Sequence, residues 1–260
     1  MPEAFYEPDG DDFRATALTR GPWDPGAQHA GPPSALLARA IERLPGSERF
    51  QVGRVSFDIL RPVPIGPVHV SARVLRPGRR VQLVEAELSD GEQVLMRATA
   101  WQLEIASVEL PEGTVARPPA PRGPEHGGGA DFFPGAEDEG YHTAMEVTFA
   151  AGQFMELGPA TAWLRMRVPL VAGEDPSPLQ RTLVAADVGN GISAALDFRQ
   201  FIFVNVELTV HLERMPAGEW ICVDAVTLPQ ATGVATAESV LYDVEGRIGR
   251  AAQSLIVSAR

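Results

Sequence analysis

Cysteine is nearly absent from this 260-residue sequence, and the single Cys222 allows neither an intrachain disulfide nor a cysteine-based metal site. Histidine is sparse too. His29, His69, His126, His142 and His211 are scattered without metal-ligand spacing, so no metal is expected. Positive charge is in deficit, with 22 Lys and Arg against 34 Asp and Glu, a net charge of -12. Such a surface repels phosphate backbones and argues against nucleic acid as a partner, although the Arg79–Arg80 pair could hold one small anionic group. No apolar run approaches the length of a membrane span. The start, MPEAFYEPDGDD, is acidic and lacks the apolar region of a secretory signal, so a cytoplasmic location is expected. A GxSxG nucleophile elbow is missing as well, because Gly191-Ile192-Ser193 runs on into Ala194 and Ala195.

What the chain does contain is an ordinary apolar content of 45%, with 22% charged residues, enough for one large core or two smaller ones. Residues 106–141 are rich in proline, glycine and charge and show little hydrophobic periodicity, as a linker would. The expected division is therefore 1–105, a linker at 106–141, and 142–260. The two flanking parts repeat one plan. In the first, apolar residues Leu37, Ile41 and Leu44 at helical spacing predict a helix from about Pro33 to Leu44, with Pro32 and Pro33 suited to its first turn. Strands are expected at about 52–60, 67–76, 79–88 and 93–105, with Pro77-Gly78 and Asp90-Gly91 as turns. In the second part, strands near 144–150 and 160–169 precede a helix from about Ser177 to Val188. Strands at about 201–212, 219–228, 233–243 and 247–258 follow. By eye, VSFDIL from Val55 aligns with VNVELT from Val204, and Gly91–Ala98 aligns with Gly246–Gln253. The expectation is an α+β architecture in which two antiparallel sheets each wrap a central helix and join edge to edge, which removes an open sheet edge from each. Two unrelated α+β domains are the competing reading.

Three polar residues stand out in the second part. Asp187 follows Leu179 and Leu183 at helical spacing, on the face that also carries Ala186. An inward carboxylate there would be costly unless hydrogen-bonded, and its raised pKa would suit a general base. An Asp bonded to nearby backbone at the helix end, before Gly189-Asn190-Gly191, explains it equally well. Gln253 interrupts the row Ala251, Leu255, Val257, and its counterpart in the first part is Ala98. Asn205 lies where the row Phe201, Phe203, Asn205, Glu207, Thr209 turns polar, as a pocket rim or a plain exposed position would.

These residues resemble the bacterial acyl-CoA thioesterase II family and its thioesterase-like relatives, which are double hotdogs. Trp163-Leu164-Arg165 matches a Trp-x-Arg strand of that family, and Ala185-Ala186-Asp187 approximates its Ala-x-Asp helix. Gln253 matches its glutamine, and Asn205 stands where the family has threonine. The resemblance implies that Asp187, Gln253 and Asn205 activate a water that hydrolyses an acyl-CoA thioester. Coenzyme A enters only as part of the substrate, no other cofactor is needed, and a homo-oligomer active in lipid metabolism is expected. A hotdog that binds acyl-CoA without cleaving it is the alternative, motivated by the threonine-to-asparagine change. Gln28-His29-Ala30-Gly31 resembles the His-Gly-Gly helix entry of single-hotdog thioesterases, so His29 and Gly31 are candidates for substrate binding, with a helix-start N–H polarising the carbonyl. Where such families often place an acid, eight residues after Gly31, this chain has Arg39. Gly189-x-Gly191-x-x-Ala194 loosely fits a dinucleotide fingerprint, but a helical pattern precedes it where a strand is required.

Overall fold

A computed structural model describes residues 3–114, 118–129 and 139–260. The chain opens with a hairpin, β1 (Tyr6–Asp9) and β2 (Asp12–Ala15), turned at Gly10 with a φ of 67°. Helix α1 (Gly31–Glu42) follows, then a meander of β3 (Phe50–Ile59), β4 (Pro67–Arg76), β5 (Val81–Ser89) and β6 (Val94–Glu104). After the short β7 (Gly128–Gly129) and α2 (Tyr141–Ala144) come β8 (Met145–Ala151) and β9 (Ala160–Met166). Next are α3 (Pro178–Ala186) and the single turn α4 (Gly189–Ile192). The chain ends with β10 (Phe201–Asn205), β11 (Glu207–Leu212), β12 (Ile221–Pro229), β13 (Val234–Asp243) and β14 (Gly246–Ala259).

Among the described residues the strands form one sheet in the order β1-β2-β4-β5-β6-β3-β11-β14-β13-β12-β9-β8-β7, with β10 also on β14. The halves meet where β3 pairs antiparallel with β11, Phe57 opposite Leu208. Each half wraps its own helix, which is the double hotdog. The hairpin β1–β2 was not expected. Its sequence is polar and contains Pro8, so it lacks an apolar alternation, yet Asp9-Gly10 is a good turn and β2 borders β4. The strand expected at 201–212 is two strands, because Val206 is one extra residue between the pairs Asn205–Leu255 and Thr209–Ala252. This bulge also corrects the alignment by eye, which set Phe57 against Val206. Phe57 is buried and Val206 exposed, and the residue beside Phe57 is Leu208.

The helices lie side by side and antiparallel over the join. At one end, Glu42 at the close of α1 accepts from Ser177 Oγ (2.7 and 2.9 Å) and Gln180 Nε2 (2.8 Å) at the start of α3. At the other, Gly31 comes so close to α3 that a Cβ there would sit 2.5 Å from the Val184 carbonyl oxygen. Only glycine permits that approach. Helix α1 is buried on nearly every side, Leu36, Leu37, Ala38 and Ile41 being almost inaccessible. Arg39 is tolerated in this setting because its guanidinium forks onto Glu174 at 2.6 and 2.7 Å. Part of the segment expected as linker packs on the second half. Arg122 O accepts from Trp163 Nε1 (2.6 Å), and β7 pairs with β8. No helix of the described residues is long and apolar enough to cross a membrane.

Candidate functional site

Where α3 ends and α1 begins, the chain gathers its most unusual polar cluster. Asp187 is the residue that caps the C-terminus of α3, at φ −73° and ψ −9°. It is 3% exposed. Leu179, Leu183 and Ala186 are buried beside it, so the helical periodicity does carry the carboxyl inward. Of the two readings that the sequence left open, the side chain takes the inward one. Its Oδ1 accepts from Asn205 Nδ2 (2.9 Å) and Gln253 Nε2 (3.0 Å), which reach it from β10 and β14. Its Oδ2 lies 3.2 Å from His29 Nδ1, and the backbone N–H groups of Ala30 and Gly31 at the start of α1 also point to the carboxyl. Burial pushes the Asp187 carboxyl up to about 7, against the lowering effect of Asn205, Gln253 and these two N–H groups.

Each donor is itself held. Gln253 Oε1 accepts from the Asn190 N–H (3.1 Å), which aims the Nε2 end at Asp187, where it also bonds the Asp187 carbonyl at 3.1 Å. A Cβ at Gly189 would lie 2.7 Å from Ser239 Oγ and 3.2 Å from Gln253 Oε1, so glycine there lets α4 settle onto the amide. Asn205 is half-buried and is brought inward by the bulge at Val206. Before the bulge, Phe203 and Asn205 face the helices. After it, Leu208 and Val210 do, while Glu207 and Thr209 turn outward to Ser254 and Ser56. The continuous row running from Phe201 to Thr209 expected from the sequence is thus broken at the residue that matters. His29 is 9% exposed, with its ring stacked on Tyr141 at 3.8 Å and 3°. The Tyr141 hydroxyl in turn donates to the Val184 carbonyl of α3 (2.8 Å). Burial drives the imidazole down to about 3, so it is neutral at physiological pH. Its Nδ1 accepts from the Gly31 N–H at 3.1 Å.

The structure therefore brings Asp187, Asn205, Gln253, His29 and Gly31 into one cluster. It does not bring Trp163 or Arg165 there. Trp163 bonds Arg122, and Arg165 pairs with Glu146 and lies over Trp220. Asn190 was passed over in the sequence as part of a Gly-Asn-Gly helix stop. It is 7% exposed, and its side-chain amide makes no hydrogen bond among the described residues. Its place within three residues of Asp187 was the available signal. No group of three His, Cys, Asp or Glu among the described residues could hold a metal ion.

Next to the cluster sits a small apolar pack separate from the main core: Ala194, Phe203, Ala235, Ala237 and Leu255, with Leu196, Phe201 and Val257 against it. Trp23 covers it, edge-on to Phe203 at 5.1 Å. A buried acid beside an apolar patch and fixed amides can take a proton from a water held next to an apolar group.

Two family profiles match, the acyl-CoA thioesterase N-terminal domain over residues 19–103 and the acyl-CoA thioesterase C-terminal domain over residues 115–257. None of the curated proteins matches the chain. Among solved structures it is similar to a hotdog-fold protein of unknown function from Alicyclobacillus acidocaldarius (15% identity, TM-score 0.76, 99% of this chain and 97% of that one). It is similar as well to an acyl-CoA thioesterase II from Mycobacterium marinum (13%, TM-score 0.66, 97% and 94%). A third is a TesB protein from Mycobacterium avium subspecies paratuberculosis (15%, TM-score 0.69, 97% and 95%). At these identities the likeness is one of fold.

Proposed function

Since the chain belongs to the acyl-CoA thioesterase family and is a thioester hydrolase, we propose that it cleaves acyl-CoA at the Asp187 cluster, with Asp187 as the base. The attacking water takes the place of one amide donor on Oδ1, on the side of the half-buried Asn205, and gives its proton to the carboxylate as oxygen bonds to the thioester carbon. Gln253, oriented by Asn190, holds the carboxylate and the water in line. Collapse of the tetrahedral intermediate breaks the C–S bond, and the proton leaves with the coenzyme A thiol. Gln253 and the N–H groups of Ala30 and Gly31, already in place on the carboxyl, need no reorganisation during the step. Asparagine in place of the family's threonine both donates and accepts, so it can fill the water-positioning role.

One observation carries this reading. A single carboxyl is held away from solvent, shifted to about 7, and met on one oxygen by two side-chain amides. A base poised near neutrality is what water activation requires. The test is thiol release from a panel of short, medium, long and aromatic acyl-CoAs by the wild type and by Asp187→Asn. Turnover by the wild type and its loss by about 10²–10⁴-fold in the variant is the expected result. Equal turnover by both would remove Asp187 from the chemistry. Tight acyl-CoA binding with no thiol release by either would make the chain a carrier.

A further inference from the structure

Hydrolysis at Asp187 leaves one requirement unmet by the residues assigned so far: a donor to the carbonyl oxygen as it becomes an oxyanion. The family resemblance points to the N–H at the start of α1, but in this chain those groups are already engaged. The Gly31 N–H is 3.1 Å from His29 Nδ1, and it and the Ala30 N–H are both directed at Asp187. The amide hydrogens of Gln253 are spent on the Asp187 carbonyl and carboxyl, and those of Asn205 on Asp187 Oδ1, or on the water that takes its place there, and on the Glu207 carbonyl (3.5 Å). The Asn190 N–H is spent on Gln253. Two groups are not: the side-chain amide of Asn190, which lies beside Gln253, and one atom of the His29 ring. Among the described residues His29 Nε2 makes no hydrogen bond, although the ring is nine-tenths buried, 9% exposed.

The contacts of Nδ1 decide what Nε2 carries. Because Nδ1 accepts from Gly31, the hydrogen of the neutral ring lies on Nε2. Asp187 Oδ2, 3.2 Å from the same Nδ1, fits that tautomer when the carboxyl is protonated, as it is once it has taken the proton of the water and the oxyanion has formed. Stacking on Tyr141, whose hydroxyl is tied to α3, fixes the plane of the ring and hence the direction of Nε2–H. Resting on the reading that acyl-CoA is hydrolysed here, we propose that His29 Nε2–H donates to the thioester carbonyl oxygen and stabilises the oxyanion. The ring passes the field of the α1 N-terminus from Gly31, through Nδ1, to a donor that reaches farther than the backbone does. An imidazole that stays neutral is suited to this, since a buried imidazolium would surrender its proton to the intermediate instead of holding it by a hydrogen bond. No proton is transferred at His29. The proton of the water still goes to Asp187 and from there to the thiol.

The test uses His29→Ala, His29→Gln and Asn190→Ala, with kinetics and with a ketone analogue of the acyl-CoA in which CH₂ replaces sulfur and the carbonyl is ¹³C-labelled. In the wild type the bound carbonyl resonance is expected downfield of its position in water. In His29→Ala it should return, while kcat falls by about 10²–10³-fold with KM within roughly threefold of wild type. His29→Gln, which keeps the bulk and supplies an amide N–H, should recover part of kcat and part of the shift. The wild-type resonance and the glutamine variant are read whether or not the alanine variant folds. A wild-type kcat and downfield shift retained in His29→Ala, or a loss of both in Asn190→Ala in its place, would overturn the assignment. Failure of the wild type to turn over any acyl-CoA would strike at the hydrolytic reading instead, and the ketone resonance would still report whether His29 donates.

Discussion

The two ends of the α1–α3 pair are built from the same parts and have opposite characters. At the Asp187 end, a carboxyl at the close of α3 meets the start of α1, sealed from water, with an imidazole and two amides on it. At the Glu42 end, a carboxyl at the close of α1 meets the start of α3 and is half-buried, with a hydroxyl and one amide on it. Burial raises the Glu42 carboxyl as well, against the lowering effect of Gln180, Ser177 and Arg43. In the sheet beneath, the last strand of each half differs at one matched position. Gln253 sits beside Ala237 on β13, whereas its counterpart Ala98 sits between Ala86 and Phe57. Duplication supplies two helix junctions, and one amide on a central strand together with one ring before a helix distinguishes the candidate site from the structural tie.

That contrast breaks first under activity measurements. Asp187→Asn should abolish thiol release while Glu42→Gln leaves it within assay error. Loss in both variants, measured on folded protein, would mean that the two ends act together. The next largest effect is on stability. Ala98→Gln inserts into the first half an amide with no buried partner at that step, and should cost about 2–4 kcal/mol in denaturant unfolding. A neutral result would indicate that the Glu42 end can rebuild a partner.

Titration sharpens the comparison further. Asp187 sits at about 7 in the fold against an ordinary 3.8, so its burial costs stability progressively as pH rises from about 4 to 7. His29 sits at about 3 against 6.5, so its burial costs stability as pH falls from about 6.5 to 3. Between about 4 and 6.5 these slopes oppose one another, since folded and unfolded chains hold one proton on the pair. Asp187→Asn should therefore unmask a stability that climbs with pH over 3–6.5, and His29→Gln one that declines over 4–7, each spanning about 2–4 kcal/mol. Melting curves at stepped pH read both. If both variants keep the pH dependence of the wild type, the two groups do not share a proton. The smallest effect belongs to the tie: Ser177→Ala removes the cap on α3, which accepts from the Gln180 N–H at 3.1 Å, and should cost about 1 kcal/mol without touching turnover.

Legibility in the sequence followed the range of the forces involved. Helix α3 and the row through Gln253 were readable because burial on one face writes a period into the chain. The bulge at Val206 was not, because an extra residue in a strand looks like any other until a neighbour is paired with it. Yet the bulge is what separates inward Asn205 from outward Glu207. The N-terminal hairpin was missed for a related reason. Its turn is written in Asp9-Gly10, but its partner β4 lies more than fifty residues away.

By itself the sequence determined the duplicated plan and the amide on the last strand, since local periodicity and turn chemistry are enough for each, and it left two directions open to Asp187. Only the tertiary structure decided that the start of α1 spends its N–H groups on Asp187 and His29, and that a bulge delivers Asn205 to the same oxygen. Those are contacts between distant segments, and the approach of residue 29 to residue 187 leaves no trace in the spacing of either.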